Sequence, residues 1–282
     1  MPRGPVWISS QHARYRRMID FKKKRLFLLD MDGTIYLGDR LFEGTAEFLK
    51  VVRRQGGKYL FATNNSSRSV DAYIERLQRL GIASERDDFL TSVDALIMFL
   101  RNGYEKKLIY AAGTKTFREQ LQTAGFHITT ECTEAVELLV NGFDTELSFQ
   151  KLEDACRLLT RGVEWIATNP DWVCPTEWGS VPDCGSVSEM LTRATGRRPR
   201  FIGKPEPDMA LLSMERYGFT KAETVMVGDR IYTDIACGIN AGIDTAFVLS
   251  GEGVEADIEK YQLRPTGIYR DIGEILTLMQ ED

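Results

Sequence analysis

Histidine and cysteine are scarce in this chain. The only histidines are His12 and His127, and neither falls in a ligand or catalytic pattern, which argues against histidine-based or zinc catalysis. The five cysteines (Cys132, Cys156, Cys174, Cys184 and Cys237) are odd in number and never spaced as CxxC. Reduced thiols fit a cytoplasmic protein, which is the expected location. No apolar run approaches the ~18–20 residues of a membrane span, so no membrane partner is expected. Positive charge is not in excess either: 36 Lys and Arg against 41 Asp and Glu leave −5, which disfavours a nucleic-acid partner. What remains is ordinary. Apolar residues make up 43% and charged residues 27%, enough to bury a core, and 282 residues are generous for one simple domain. Two lobes, or a core with a large insertion, are expected.

The one biased stretch is the start. Arg3, Arg14, Arg16, Arg17, Lys22, Lys23, Lys24 and Arg25 face a single acid, Asp20. No continuous apolar segment follows, so export is not expected. Residues 1–24 read as a basic extension, a solvated and partly helical arm, with contact to an anionic partner as the alternative.

From Arg25 onward short apolar runs alternate with helical patterns. RLFLLD at Arg25–Asp30 is a buried strand, and Thr45–Arg54 carries the helical spacing of Ala46, Leu49 and Val52. Lys58–Thr63 is the next strand, ending in Asn64, Asn65, Ser66 and Ser67, and Val70–Leu80 is a helix closed by Gly81. Further strands are expected at 108–111, 137–140, 164–168, 201–203, 224–228 and 245–249. Helices are expected near 116–123, 148–160, 187–195, 208–217 and 272–279, and the polar, Pro-bearing stretch around Asn169–Asp183 is assigned no element. This alternation predicts an α/β fold, a Rossmann-like parallel sheet with helices on both faces. Residues 89–190 make sense as a second α/β unit inserted into a core of 25–88 and 191–282.

Ligands of such sheets bind at the carboxyl ends of the strands. Four strand ends here are polar: Asp30 with Asp32, then Thr63 with Asn64 and Asn65, then Lys204, then Asp229 with Asp234. Each has a bland explanation alone. Asp-Gly turns are common after strands, Lys204 suits a solvated surface, and Asp229 with Asp234 suits a helix start. Together they form an ordered set. Three converging carboxylates repel one another and call for a cation, and their hard oxygens make Mg²⁺ the expected ion. A lysine and a hydroxyl beside it suit a dianionic phosphoryl group. On an extended segment Asp30 and Asp32 project differently, so one can attack while the other serves as general acid.

In this order the motifs resemble those of the haloacid dehalogenase superfamily. DMDGTI at Asp30–Ile35, ATNNSSR at Ala62–Arg68, IGKPEP at Ile202–Pro207 and VGDRIYTDI at Val227–Ile235 match its four motifs. The match is to the branch of the bacterial N-acetylglucosamine-operon phosphatase, para-nitrophenyl phosphatases and phosphoglycolate or pyridoxal phosphatases. IATNPD at Ile166–Asp171 and AGIDTAFVLSG ending at Gly251 also look like this branch. The resemblance implies a phosphomonoesterase of small phosphorylated metabolites with Mg²⁺ as cofactor. Asp30 would be the nucleophile and Asp32 the general acid and base. Asp30, the Asp32 carbonyl and Asp229 would hold the metal. Thr63, Asn64, Asn65 and Lys204 would bind the phosphoryl group, and Asp234 would stand behind the metal ligands.

The resemblance also makes the insertion a cap over the site. Trp172 and Trp178 then suit stacking on a ring, although apolar packing is the preferred reading because aromatics are generally buried. Asn169 and Asp171 either reach the site or shape a turn around Pro170. Members of this branch often pair through their caps, so a homodimer is the state to test. A phosphomutase with the same chemistry and a non-enzymatic phosphate-binding protein are the competing readings. The cap's place after the second motif counts against the first, and the complete motif set against the second.

Overall fold

The computed structural model describes residues 19–66, 70–176 and 178–281. Most of the expected basic arm, with His12, lies outside them, as do Ser67 and Arg68 of the second motif. The chain divides into two compact units, Met1–Tyr59 with Phe219–Asp282, and Leu60–Gly218.

In the first unit the strands Leu26–Leu29, Thr224–Gly228, Asp244–Val248 and Gly267–Tyr269 lie side by side in that order, all parallel. Their apolar runs are buried on both faces, as parallel strands require. The helices Thr45–Arg54 and Ile272–Gln280 pack on each other and cover the sheet. From Ile19 onward the arm is only partly solvated: Ile19, Phe21 and Lys24 are buried, while Asp20, Lys22 and Lys23 stay exposed. Phe21 meets Tyr269 edge-on at 5.3 Å between ring centres. Lys24 Nζ donates to the Ala222 carbonyl at 2.6 Å and pairs with Asp244 at 2.7 Å. A buried ammonium is tolerable only with such partners, so Lys24 belongs to the folded unit rather than to an arm.

The strand Lys58–Thr63 leads into the second unit, where it pairs in parallel with Phe89–Thr91. A second parallel sheet follows, ordered Arg200–Phe201, Glu164–Ala167, Leu138–Asn141, Leu108–Ala112 and His127–Thr129. The expected strand at 201–203 is thus the edge of this sheet. The helices Lys115–Thr123, Phe149–Thr160 and Cys184–Thr195 belong to it, each started by a side-chain cap from Thr114, Ser148 or Asp183. The stretch 169–183, assigned no element from the sequence, contains an antiparallel hairpin, Val173–Thr176 with Gly179–Pro182.

Candidate active site

Two groups of the expected residues are assembled, one in each unit. In the first unit, the pairing of Leu29 with Val227 brings Asp30 and Asp229 to the ends of neighbouring strands. The Asp30 N–H donates to Val227 O at 2.9 Å. After Asp229 a single π-helical turn, Ile231–Ile235, returns Asp234 toward the strand end. Gly228 makes room for it, since a Cβ there would overlap the Asp234 side chain. Carboxylate oxygens of Asp30, Asp229 and Asp234 lie within 4.8 Å of one another. Asp234, expected behind the ligands, brings a carboxylate oxygen into this group. Asp32 is exposed and its carboxylate is not a member.

The Asp229 side chain passes between two glycines. A Cβ at Gly33, where φ is +87°, or at Gly251 would overlap its carboxylate. Ser250 Oγ donates to the Gly33 carbonyl at 2.6 Å and closes this cradle. Asp229 Oδ2 accepts the Glu252 N–H at 2.7 Å, while Oδ1 is buried without a hydrogen-bond partner. Burial, then the charges of Asp234 and Asp30, push the Asp229 carboxyl up to about 7. Arg230 is held above its ordinary range: burial opposes its charge, but Asp30, Asp234 and Glu252 outweigh that. Its Nε stands 3.0 Å from Glu252 Oε2. Arg230 brings one positive charge to three clustered acids. With an orphaned carboxylate oxygen and an all-oxygen donor set, the residues fit a divalent Mg²⁺.

The second group follows Thr63. The Asn65 N–H donates to Thr63 Oγ1 at 3.2 Å, which turns the chain. Asn64 is buried and donates through Nδ2 to Lys204 O at 2.8 Å and to Asp171 Oδ2 at 3.0 Å. Its carbonyl accepts from Asn169 Nδ2 and Ser92 Oγ, both at 2.7 Å. Lys204 is 3% exposed, and its Nζ donates to Ala62 O at 3.0 Å. It is not the solvated surface lysine of the bland reading. Asn169 and Asp171, expected either in the site or in a turn, both hydrogen-bond Asn64. Arg230 and Glu252 were not singled out in the sequence; an acid one residue past Gly251 carried no pattern. Trp172 and Trp178 are 61% and 77% exposed, so the packing expected of them is not found.

Comparison with known proteins agrees with these motifs. The haloacid dehalogenase-like hydrolase model matches residues 27–127, and a HAD-hydrolase-like model matches 201–275. The acid sugar phosphatase of Staphylococcus epidermidis is 32% identical over 260 residues, 92% of this chain and all of that protein. The 4-nitrophenylphosphatase of Thermotoga maritima is 35% identical, with a TM-score of 0.84 over 92% of this chain and 99% of that one. A glycerol phosphate phosphatase of Mycobacterium tuberculosis, in complex with magnesium, is 29% identical with a TM-score of 0.83, covering 94% and 79%. The E. coli protein NagD is 29% identical, with a TM-score of 0.81 over 89% and 98%. The chain belongs to the haloacid dehalogenase-like hydrolases, in their NagD-like branch of phosphoric monoester phosphatases.

Proposed function

We propose that this phosphatase is Mg²⁺-dependent and hydrolyses small soluble phosphate esters, such as sugar phosphates, nucleotides or phosphoglycolate, through an aspartyl-phosphate on Asp30. The observation that carries the reading is the group Asp30, Asp229 and Asp234 with the orphaned Asp229 Oδ1. Asp30, the Asp32 carbonyl and Asp229 would hold the ion, with Asp234 beside them. When bound, Mg²⁺ neutralises the acids and draws charge from the phosphoryl oxygens.

The chain's own residues carry the two steps. Asp30 attacks phosphorus; the new O–P bond forms as the ester bond breaks, and Asp32 gives its proton to the departing alkoxide. Asp32, now a carboxylate, takes a proton from the water that attacks the same phosphorus. The Asp30–phosphorus bond breaks, orthophosphate leaves, and Asp32 is protonated again. Thr63 Oγ, the Asn64 and Asn65 segment and Lys204 Nζ bind the phosphoryl oxygens and offset their charge. Residues 89–190 act as the cap, with the exposed Trp172 and Trp178 available to a ring-bearing leaving group. The partners we infer are small metabolites and, through the cap, a second copy of the chain, in the cytoplasm.

The test is turnover of para-nitrophenyl phosphate. Activity with Mg²⁺, its loss in EDTA and a decrease of at least roughly 10³-fold in Asp30→Asn are expected. Wild-type turnover in Asp30→Asn sinks the mechanism.

A further inference from the structure

The second motif loop of this chain is tied to a residue that the reaction itself does not need. Both N–H bonds of the Asn64 amide are used, one on Lys204 O and one on Asp171 Oδ2. An ionised carboxylate only accepts, as does a carbonyl, so a flipped amide would set oxygen against oxygen at both contacts. Asp171 therefore selects the orientation in which Asn64 grips the main chain at Lys204. The amide's other end has no such hold: Asn64 Oδ1 is buried without a partner.

The surroundings are built for this grip. The Gly203 N–H donates to Thr168 O at 2.6 Å, and a Cβ on Gly203 would stand 2.6 Å from Asn64 Oδ1. Only a glycine lets the Asn64 amide lie against the turn that carries Lys204. Asp171 is itself fixed twice. Its N–H donates to Asn169 Oδ1 at 3.1 Å, and its carbonyl accepts from Gly185 N at 2.8 Å, in the first turn of the helix Cys184–Thr195. Gly185 cannot carry a side chain, because a Cβ would overlap the Pro170 carbonyl.

We propose that Asp171 is a positioning residue: through the side-chain amide of Asn64 it holds the main chain at Lys204, and so sets where the Lys204 ammonium sits during phosphoryl transfer. The inference rests on the phosphatase reading for its consequence in turnover, and on the hydrogen bonds alone for its consequence in structure. A displaced ammonium weakens the transition state, where the phosphoryl charge shifts, more than it weakens binding of the ester. Asp171→Ala should then lower kcat roughly 10- to 100-fold, the range for losing a hydrogen bond to a charged group, with little change in KM.

The experiment is a double-mutant cycle on para-nitrophenyl phosphate with saturating Mg²⁺, using Asp171→Ala, Asn64→Ala and the pair. Because Asp171 acts through Asn64, the pair should lose no more kcat than the worse single variant. Losses that multiply, or an unchanged kcat in Asp171→Ala, overturn the proposal. Asp171→Asn keeps the size and one acceptor, and carries the test if the alanine variant does not fold. It should keep kcat within about threefold of wild type, since a neutral hydrogen bond replaces a charge-assisted one. A loss as deep as that of Asn64→Ala overturns the proposal. If the wild-type protein shows no turnover, the phosphatase mechanism fails, not this inference. The Asn64 side-chain amide and Lys204 backbone resonances in ¹⁵N-labelled protein then decide it. Both should move in Asp171→Asn, and resonances that stay in place overturn it.

Discussion

Asp229 in the first unit and Asp183 in the second are both buried aspartates whose carboxyls are pushed up to about 7, burial being the largest cause in each. Their neighbours differ. Asp183 caps the helix Cys184–Thr195, accepting the Cys184 N–H at 2.5 Å, with Asn169 relieving it and one acid, Asp171, opposing it. That is a helix start with its donors in use. Asp229 faces two more acids, spends one oxygen on Glu252 N and leaves the other unpartnered. The same displacement thus has a structural meaning in one unit and, on the proposed function, a catalytic one in the other. Like charges beside an orphaned acceptor distinguish a site; a raised pKa alone does not.

The sharpest way to break this comparison is to remove each carboxylate in turn. Asp229→Asn should weaken Mg²⁺ binding by roughly 100-fold or more, because it deletes an anionic ligand. Asp183→Asn should leave it unchanged. Isothermal titration of the metal-free protein measures both, and equal losses in the two variants would erase the distinction.

Stability against pH separates the pair a second way. Each carboxyl has its folded pKa raised above the ordinary 3.8, so between 3.8 and about 7 the folded chain binds more protons than the unfolded one. Stability then falls as pH rises through that window and levels off above it, by at most about 4 kcal/mol for each group. In EDTA both contribute to the fall. With Mg²⁺ bound, the Asp229 share should disappear and the Asp183 share remain. Asp183→Asn should then flatten the residual slope in urea unfolding at pH 5 and pH 8, since Asn caps a helix as well as Asp. A slope that Mg²⁺ leaves untouched would mean that no ion answers the Asp229 charge.

These contrasts were only partly legible in the sequence. The strands and helices with strong patterns fall where expected, Thr45–Arg54 and Lys58–Thr63 among them, because apolar period and stop signals agree there. Ser92–Leu100 was not read, because its nearly continuous apolar run hides the helical period. The hairpin at 173–182 escapes the sequence reading for the opposite reason. Pro175, Pro182 and Gly179 signal turns, and only cross-strand pairing makes that stretch a sheet. Asp30, Asp229 and Asp234 were named from motif order at strand ends. Their partners were not, because Glu252 reaches Asp229 through a backbone N–H and Gly251 through the lack of a side chain. The Glu252 contact does not depend on its residue type, and Gly251 stood out only as the end of a motif, with no sign that Asp229 needs its missing side chain. The link from Asp171 to Asn64 spans 107 positions, beyond any local signal.

The smallest expected effect concerns the aromatics that sequence reasoning placed in packing. Trp165 in the second unit shows what a packed tryptophan looks like here: it is buried, and its Nε1 donates to Asn141 Oδ1 at 2.6 Å. Trp178, by contrast, is 77% exposed beside the hairpin turn. An exposed side chain contributes little to folding, so Trp178→Ala should shift the melting temperature by no more than about 2 °C. Its Mg²⁺ affinity should match wild type, because it is no part of the acid group. What should change is KM for an aryl ester such as para-nitrophenyl phosphate. It should rise more than KM for glycerol phosphate, which has no ring to stack, because stacking contributes only about 1 kcal/mol and only when a ring is present. A large fall in melting temperature would return Trp178 to the core. An equal change in KM for both esters would leave the hairpin aromatic without a part in substrate choice.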